Sequence, residues 1–215
     1  MITTGLKGMA LRIGPFAGSL VVVVLLSLAW FGARPEQSKT LQNLQAAYNG
    51  EANAHARYLA FADRAQYEEN YEVASLFRAA AFAESIHFER FADLIRNMGA
   101  EPASKIEAPV VKTTAENLQA AADEGEAYER DILYPGFIKE AEVEGNAEAA
   151  RAFQHARMAE AQHFKLVKAA VENPKTTGVE SHPYYVCKTC GYTSEHPVRP
   201  CPGCSDPHAS YAQVH

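Results

Sequence analysis

"AESIHF" at residues 83–88 returns as "AEAQHF" at residues 159–164, 76 positions later. Each copy sets a carboxylate and an imidazole three residues apart, and on an α-helix positions i and i+3 share one face. Glu84 with His87, and Glu160 with His163, can therefore each offer two metal-binding side chains to a single point. The repeat also reaches upstream, because Glu51 lies 33 residues before Glu84 and Glu126 lies 34 before Glu160. Each half thus predicts a helix with an acidic residue midway, a turn, and a second helix carrying Glu-x-x-His. Two such hairpins packed antiparallel bring all four motifs to one depth. One Glu-x-x-His on a Glu-rich helix reads as a solvated surface pair. Two at matched offsets, each followed by Phe, read as two halves of one site.

The flanking sequence supports this. From Thr40 to about Val171 the chain is rich in Ala, Glu, Arg and Leu, with apolar residues recurring every three or four positions. Four helices are predicted: about 40–69, broken at Asn70; 71–98, ended by Gly99; a third opened by Thr114 and Asn117 and broken near 144–146; and a fourth ending before Pro174. The stretch 99–112, "GAEPASKIEAPVVK", is a long connection. Short, long, short connections describe an all-α four-helix bundle with one crossover, the ferritin-like arrangement. "YPGF" at 134–137 predicts a kink or bulge in the third helix, since Pro135 lacks an N–H and Gly136 weakens the helix.

In such a bundle Glu51 and Glu126, from the two remaining helices, complete the inward set used by di-iron and di-manganese carboxylate proteins. Carboxylates can bridge two cations and change denticity, while each imidazole caps one. Four carboxylates carry −4, which offsets two divalent ions. Glu129, at i+3 from Glu126, is a fifth carboxylate on that face. Tyr58, seven after Glu51, and Tyr134, eight after Glu126, belong near the site. They read either as core or as phenols that hydrogen-bond a metal-bound oxygen species. His55, at i+4 from Glu51, reads as a core or supporting residue rather than a ligand.

All four cysteines lie in the tail, as Cys187-x2-Cys190 and Cys201-x2-Cys204, so none is left for a disulfide elsewhere. Four thiolates suit zinc or a single iron. Gly191 and Gly203 are expected to let the backbone turn so that N–H groups point at sulfur. His182, His196, His208 and His215 are expected on the surface. The domain boundaries read as 1–36 for an N-terminal segment, 37–176 for the bundle and 177–215 for the small metal-knuckle domain.

With 26 acidic against 20 basic residues, the chain lacks the basic balance of a nucleic-acid binder. Lys7 and Arg12 precede an uncharged apolar run at 13–31, "IGPFAGSLVVVVLLSLAWF". It reads as a membrane span with its N-terminus in the cytoplasm, or as a cleaved signal peptide with "SLA" ending at Ala29. Either reading predicts a membrane-anchored protein or one exported to the periplasm.

Over about residues 40–215 the sequence resembles rubrerythrin, on "NGEANAHARY", "AESIHFERF", "TTAENLQAA", "EGEAYERDILYPGF", "AEAQHF" and "CKTCGY…CPGC". The resemblance implies Glu51, Glu84, Glu126, Glu129, Glu160, His87 and His163 as ligands of two iron ions, with Glu84 and Glu160 bridging. It also implies that Glu129 and a histidine take part in a redox-linked shift of one iron. Cys187, Cys190, Cys201 and Cys204 match the family's rubredoxin-like iron site, with zinc as the other occupant. The implied activity is reduction of hydrogen peroxide to water, with electrons from an unidentified donor relayed through the tail. The family further implies a homodimer, in which the tail docks on the neighbouring bundle, and a cytoplasmic location. The alternative is a ferroxidase or iron-handling protein with a structural zinc knuckle.

Overall fold

The computed structural model describes residues 38–173 and 181–215, together with Met1. Five α-helices run in chain order: α1 Lys39–Tyr67, α2 Tyr71–Asn97, α3 Thr114–Ala120, α4 Tyr134–Val143 and α5 Ala147–Glu172. Two π-helical segments, Ala121–Glu126 and Glu129–Leu133, join α3 to α4, so these four pieces make up the third helix of the bundle. Three short strands follow: β1 Tyr184–Cys187, β2 Thr193–Ser194 and β3 Tyr211–Val214.

Local chemistry sets the helix starts. The side chains of Ser38, Asn70, Thr113 and Asn146 each accept a backbone N–H of the turn they open, and Thr113 with Glu116 forms a reciprocal capping box. Asn70 thus begins α2 rather than merely ending α1. The crossover is more ordered than its composition suggested. Gln45, Asn49 and Asn53, one turn apart along α1, accept the N–H groups of Ala103, Lys105 and Glu107 through their amide oxygens. Alternate residues of an extended segment are thereby tied to one helix stripe, much as a partner strand would tie them.

The expected irregularity near Pro135 takes the form of the wide turns just before it. Tyr134 N–H bonds to Glu129 O, an i→i−5 bond. Continuing that register, the next acceptor is Arg130 O, whose donor would be the N–H that Pro135 lacks. Arg157 Nε on α5 fills the vacancy at 3.0 Å.

The bundle core is split by a polar layer. Tyr58, Phe61, Leu76, Phe77, Leu118 and Val167 are among the residues packed on one side. Leu44, Phe91, Ile95, Tyr134, Ala141 and Phe153 belong to the cluster on the other. Along α1, α2, α5 and the third bundle helix, the stretch between the two clusters contains a predicted site glutamate: Glu51, Glu84, Glu160 and Glu126 respectively.

The tail forms an antiparallel sheet in the order β2-β1-β3. Tyr184 and Val186 of β1 join the core of the chain's own bundle. The apolar run at 13–31, with its anchor and signal readings, lies outside the described residues. Among the described residues no helix is long and apolar enough to cross a membrane.

Candidate metal centre

Ligand atoms of Glu51, Glu84, His87 and Glu160 lie within 4.8 Å of one another, and so do those of Glu84, Glu126, Glu160 and His163. All six residues are buried. The two groups share Glu84 and Glu160, one from each Glu-x-x-His copy. Each imidazole turns Nδ1 inward. His87 Nδ1 lies 3.0 Å from Glu84 Oε2 and 3.3 Å from Glu160 Oε1, while His163 Nδ1 lies 2.9 Å from Glu160 Oε2 and 3.5 Å from Glu84 Oε1.

The two tyrosines cross between the halves. Tyr58 of α1 donates to Glu126 Oε1, and Tyr134 of α4 donates to Glu51 Oε1. Their hydroxyl protons are thus used on carboxylates, which is a different partner from the metal-bound oxygen considered from sequence. The second oxygens, Glu51 Oε2 and Glu126 Oε2, are buried and accept no hydrogen bond, as is Glu160 Oε1. A buried carboxylate oxygen without a donor is costly unless a cation faces it. Four carboxylates and two imidazoles with inward lone pairs form a donor set suited to two iron ions.

The titration behaviour follows from this crowding. Burial, with repulsion from neighbouring carboxylates, pushes Glu84 and Glu160 well above the usual carboxylate range. Burial also presses on Glu126, but hydrogen bonding and attraction from His163 outweigh it and hold that carboxyl low. Burial would lower His87 and His163, yet the surrounding carboxylates raise both.

Glu129 stands apart. It belongs to neither group of close ligand atoms and is only partly buried. It lines a cleft of about 610 Å³ between α1 and the crossover, together with Asn53, Arg57, Phe61 and Lys112. Burial of the carboxyl, with repulsion from Glu51, Glu160 and Glu126, raises its pKa well above normal, against the pull of Arg57. Sequence reasoning passed over Arg57; its one signal was a cation beside an inward-facing Tyr58. His55 packs its ring edge-on to Phe88 and places Nδ1 2.7 Å from Ala81 O, a structural contact.

In the tail, Sγ atoms of Cys187 and Cys204 are 3.9 Å apart and those of Cys190 and Cys201 are 3.7 Å apart. A tetrahedron with metal–sulfur bonds of about 2.3 Å has edges of about 3.8 Å, so the cage fits one ion. Gly191 has φ +75° and donates its N–H to Cys187 O. Gly203 is needed for space rather than for a special turn: a Cβ there would come within 2.8 Å of Cys190 Sγ. His182, His196, His208 and His215 are all exposed.

The two centres touch. His87 Nε2 lies 3.1 Å from Cys190 O, and His163 Nε2 lies 3.0 Å from Thr193 Oγ1. Thr193 gave no signal in the sequence, because its partner sits 30 residues away on α5.

Fold and site together define a ferritin-like carboxylate bundle carrying an appended rubredoxin-like knuckle. A family model described as Rubrerythrin matches residues 42–171. The chain belongs to the rubrerythrin family, whose members are oxidoreductases with a di-iron site and a rubredoxin-like iron site. It is 38% identical over 173 residues to nigerythrin of Nitratidesulfovibrio vulgaris, covering 78% of this chain and 83% of that one. It is 35% identical over 179 residues to a rubrerythrin of Porphyromonas gingivalis, covering 81% and 89%. A solved structure of fully reduced, all-ferrous nigerythrin superposes with a TM-score of 0.73 at 33% identity, covering 85% of this chain and 96% of the other.

Proposed function

We propose that this chain is a non-haem di-iron peroxidase that reduces hydrogen peroxide to two waters, with electrons relayed from an iron held by Cys187, Cys190, Cys201 and Cys204. The observation that carries the reading is the pair of four-residue ligand groups sharing Glu84 and Glu160 and joined to the thiolate cage through His87 and Cys190. Two iron ions bound there would supply the two electrons that cleave the O–O bond.

The protein's own groups do the rest. Glu51 and His87 would hold one ion and Glu126 and His163 the other, with Glu84 and Glu160 common to both groups. Tyr134 and Tyr58 each fix one oxygen of Glu51 and Glu126 and leave the second oxygen free for an ion. The cleft beside Arg57 admits the substrate, and Glu129, which lines that cleft, passes protons from solvent to the departing oxygens. Two protons and two electrons per peroxide balance the reaction. In a homodimer, the knuckle of one subunit would serve the other bundle through the same surface that it presents to its own.

The relay makes Cys190 dispensable for one turnover and necessary for many. Cys190→Ser is expected to leave a single turnover of pre-reduced protein with peroxide intact while abolishing steady-state turnover. Unchanged steady-state rates would refute the relay. A visible spectrum separates the alternative, an iron-handling protein with a zinc knuckle, because ferric four-thiolate sites are red and zinc sites are colourless.

A further inference from the structure

We infer that Thr193 is a positioning residue for the metal centre: its hydroxyl fixes His163 as the Nε2–H tautomer and so keeps the Nδ1 lone pair aimed at the carboxylate cluster. The inference deepens the metal reading above and rests on it.

Thr193 is fully buried, and its Oγ1 has two neighbours: Gly191 O at 3.1 Å and His163 Nε2 at 3.0 Å. A hydroxyl has one proton to donate. Gly191 O can only accept, so that proton goes there, and toward His163 the oxygen can only accept. His163 Nε2 must therefore carry a hydrogen, which leaves Nδ1, 2.9 Å from Glu160 Oε2, as the metal-binding nitrogen. His87 is settled in the same sense by a carbonyl, since Cys190 O can accept from Nε2 and nothing else. Both imidazoles thus take their outer hydrogen-bond partner from the knuckle. Only the one on His163 depends on a side chain.

The fold explains how a tail residue reaches this position. Thr193 opens β2 opposite Val186 of β1, and Val186 packs into the bundle core. With Gly191 close against His87, this pins the short strand to the helices. An outer partner that orients a ligating histidine typically contributes 10–100-fold to metal affinity. Valine at 193 would keep the shape and leave a buried N–H without an acceptor. His163 would then rotate, or move its proton to the nitrogen that the ion needs.

The test uses the full-length protein with the four-thiolate iron in place, titrated anaerobically with cobalt(II) and read by the visible absorption of the bundle-bound ion. Thr193→Val is expected to weaken one of the two cobalt sites about 10–100-fold. Thr193→Ser, which keeps the hydroxyl, should restore the affinity to within a few-fold. Thr193→Ala should reproduce the loss without a branched side chain. An unchanged iron–thiolate spectrum in each variant shows that the knuckle is folded. Wild-type affinity in Thr193→Val or Thr193→Ala, or a Ser variant as weak as Val, overturns the role of Thr193. A wild-type protein that binds no cobalt in the bundle overturns the metal centre itself, a result distinguishable from the first.

Discussion

Tyr58 and Tyr134 are the residues at which the two halves of the repeat depend on each other, because each donates to the glutamate of the opposite half. Removing one hydroxyl leaves a carboxylate oxygen buried without a donor, a loss of about 1–3 kcal/mol. Tyr58→Phe and Tyr134→Phe are each expected to lower stability by about that amount in urea unfolding of the metal-loaded protein. Equal stability of the variants and the parent would show that the contacts carry no weight. Gly191 is a second single-residue dependence. A Cβ there would sit 2.4 Å from His87 Nε2, on a residue with φ +75°. Gly191→Ala is expected to push the knuckle off His87, breaking the bond to Cys190 O. The thiolate spectrum should persist while internal re-reduction of the di-iron site slows, as followed by stopped-flow absorbance. An unchanged rate would mean that electrons do not cross at this contact.

At the scale of elements, the π segments account for a numerical oddity in the repeat. Glu84 − Glu51 is 33 and Glu160 − Glu126 is 34, while Tyr58 − Glu51 is 7 and Tyr134 − Glu126 is 8. A π bulge is a one-residue insertion in an α-helix, and the segment Glu129–Leu133 lies between Glu126 and Tyr134. The extra residue was therefore visible in the sequence as a changed offset, although "YPGF" alone pointed only to a local break. The helices and the four inward glutamates were legible because helical periodicity and the duplicated motif both report on one face. The amide ladder, Arg157 and Thr193 were not, since each acts on a backbone or side chain distant in sequence. Arg157 can be tested with Pro135. Arg157→Met leaves Arg130 O without its donor and is expected to cost about 1–3 kcal/mol. Pro135→Ala offers that carbonyl a backbone N–H, so the double variant should recover part of the loss in a mutant cycle. Strict additivity would show that Arg157 and residue 135 do not share the acceptor.

For the whole molecule, the polar layer through the core makes stability a function of metal and of pH together. Glu84, Glu160 and Glu129 have folded pKa values raised above those of an unfolded chain, chiefly by burial. His87 and His163 are raised too, by their carboxylate neighbours acting against burial. A raised group binds more protons folded than unfolded, so its contribution is fully present below the unfolded pKa and is lost as pH rises through the folded one. The carboxylates begin to act above about pH 4.5 and the imidazoles above about pH 6.5. Glu126, held low, has the opposite sign, but its window lies below the unfolded value, in acid. His155, lowered by burial and by Arg151, His87 and Arg90, also opposes the trend near neutrality, as one group against five. With the bundle metal removed and the thiolate iron kept in place, unfolding free energy is therefore expected to fall between pH 5 and pH 8. Bound cations replace those protons and release them on binding, so the loaded protein should show a flattened or reversed slope. Denaturant unfolding at the two pH values, with and without bundle metal, measures both slopes. A metal-free protein that gains stability toward pH 8 would mean that the buried cluster does not govern the fold's response to protons.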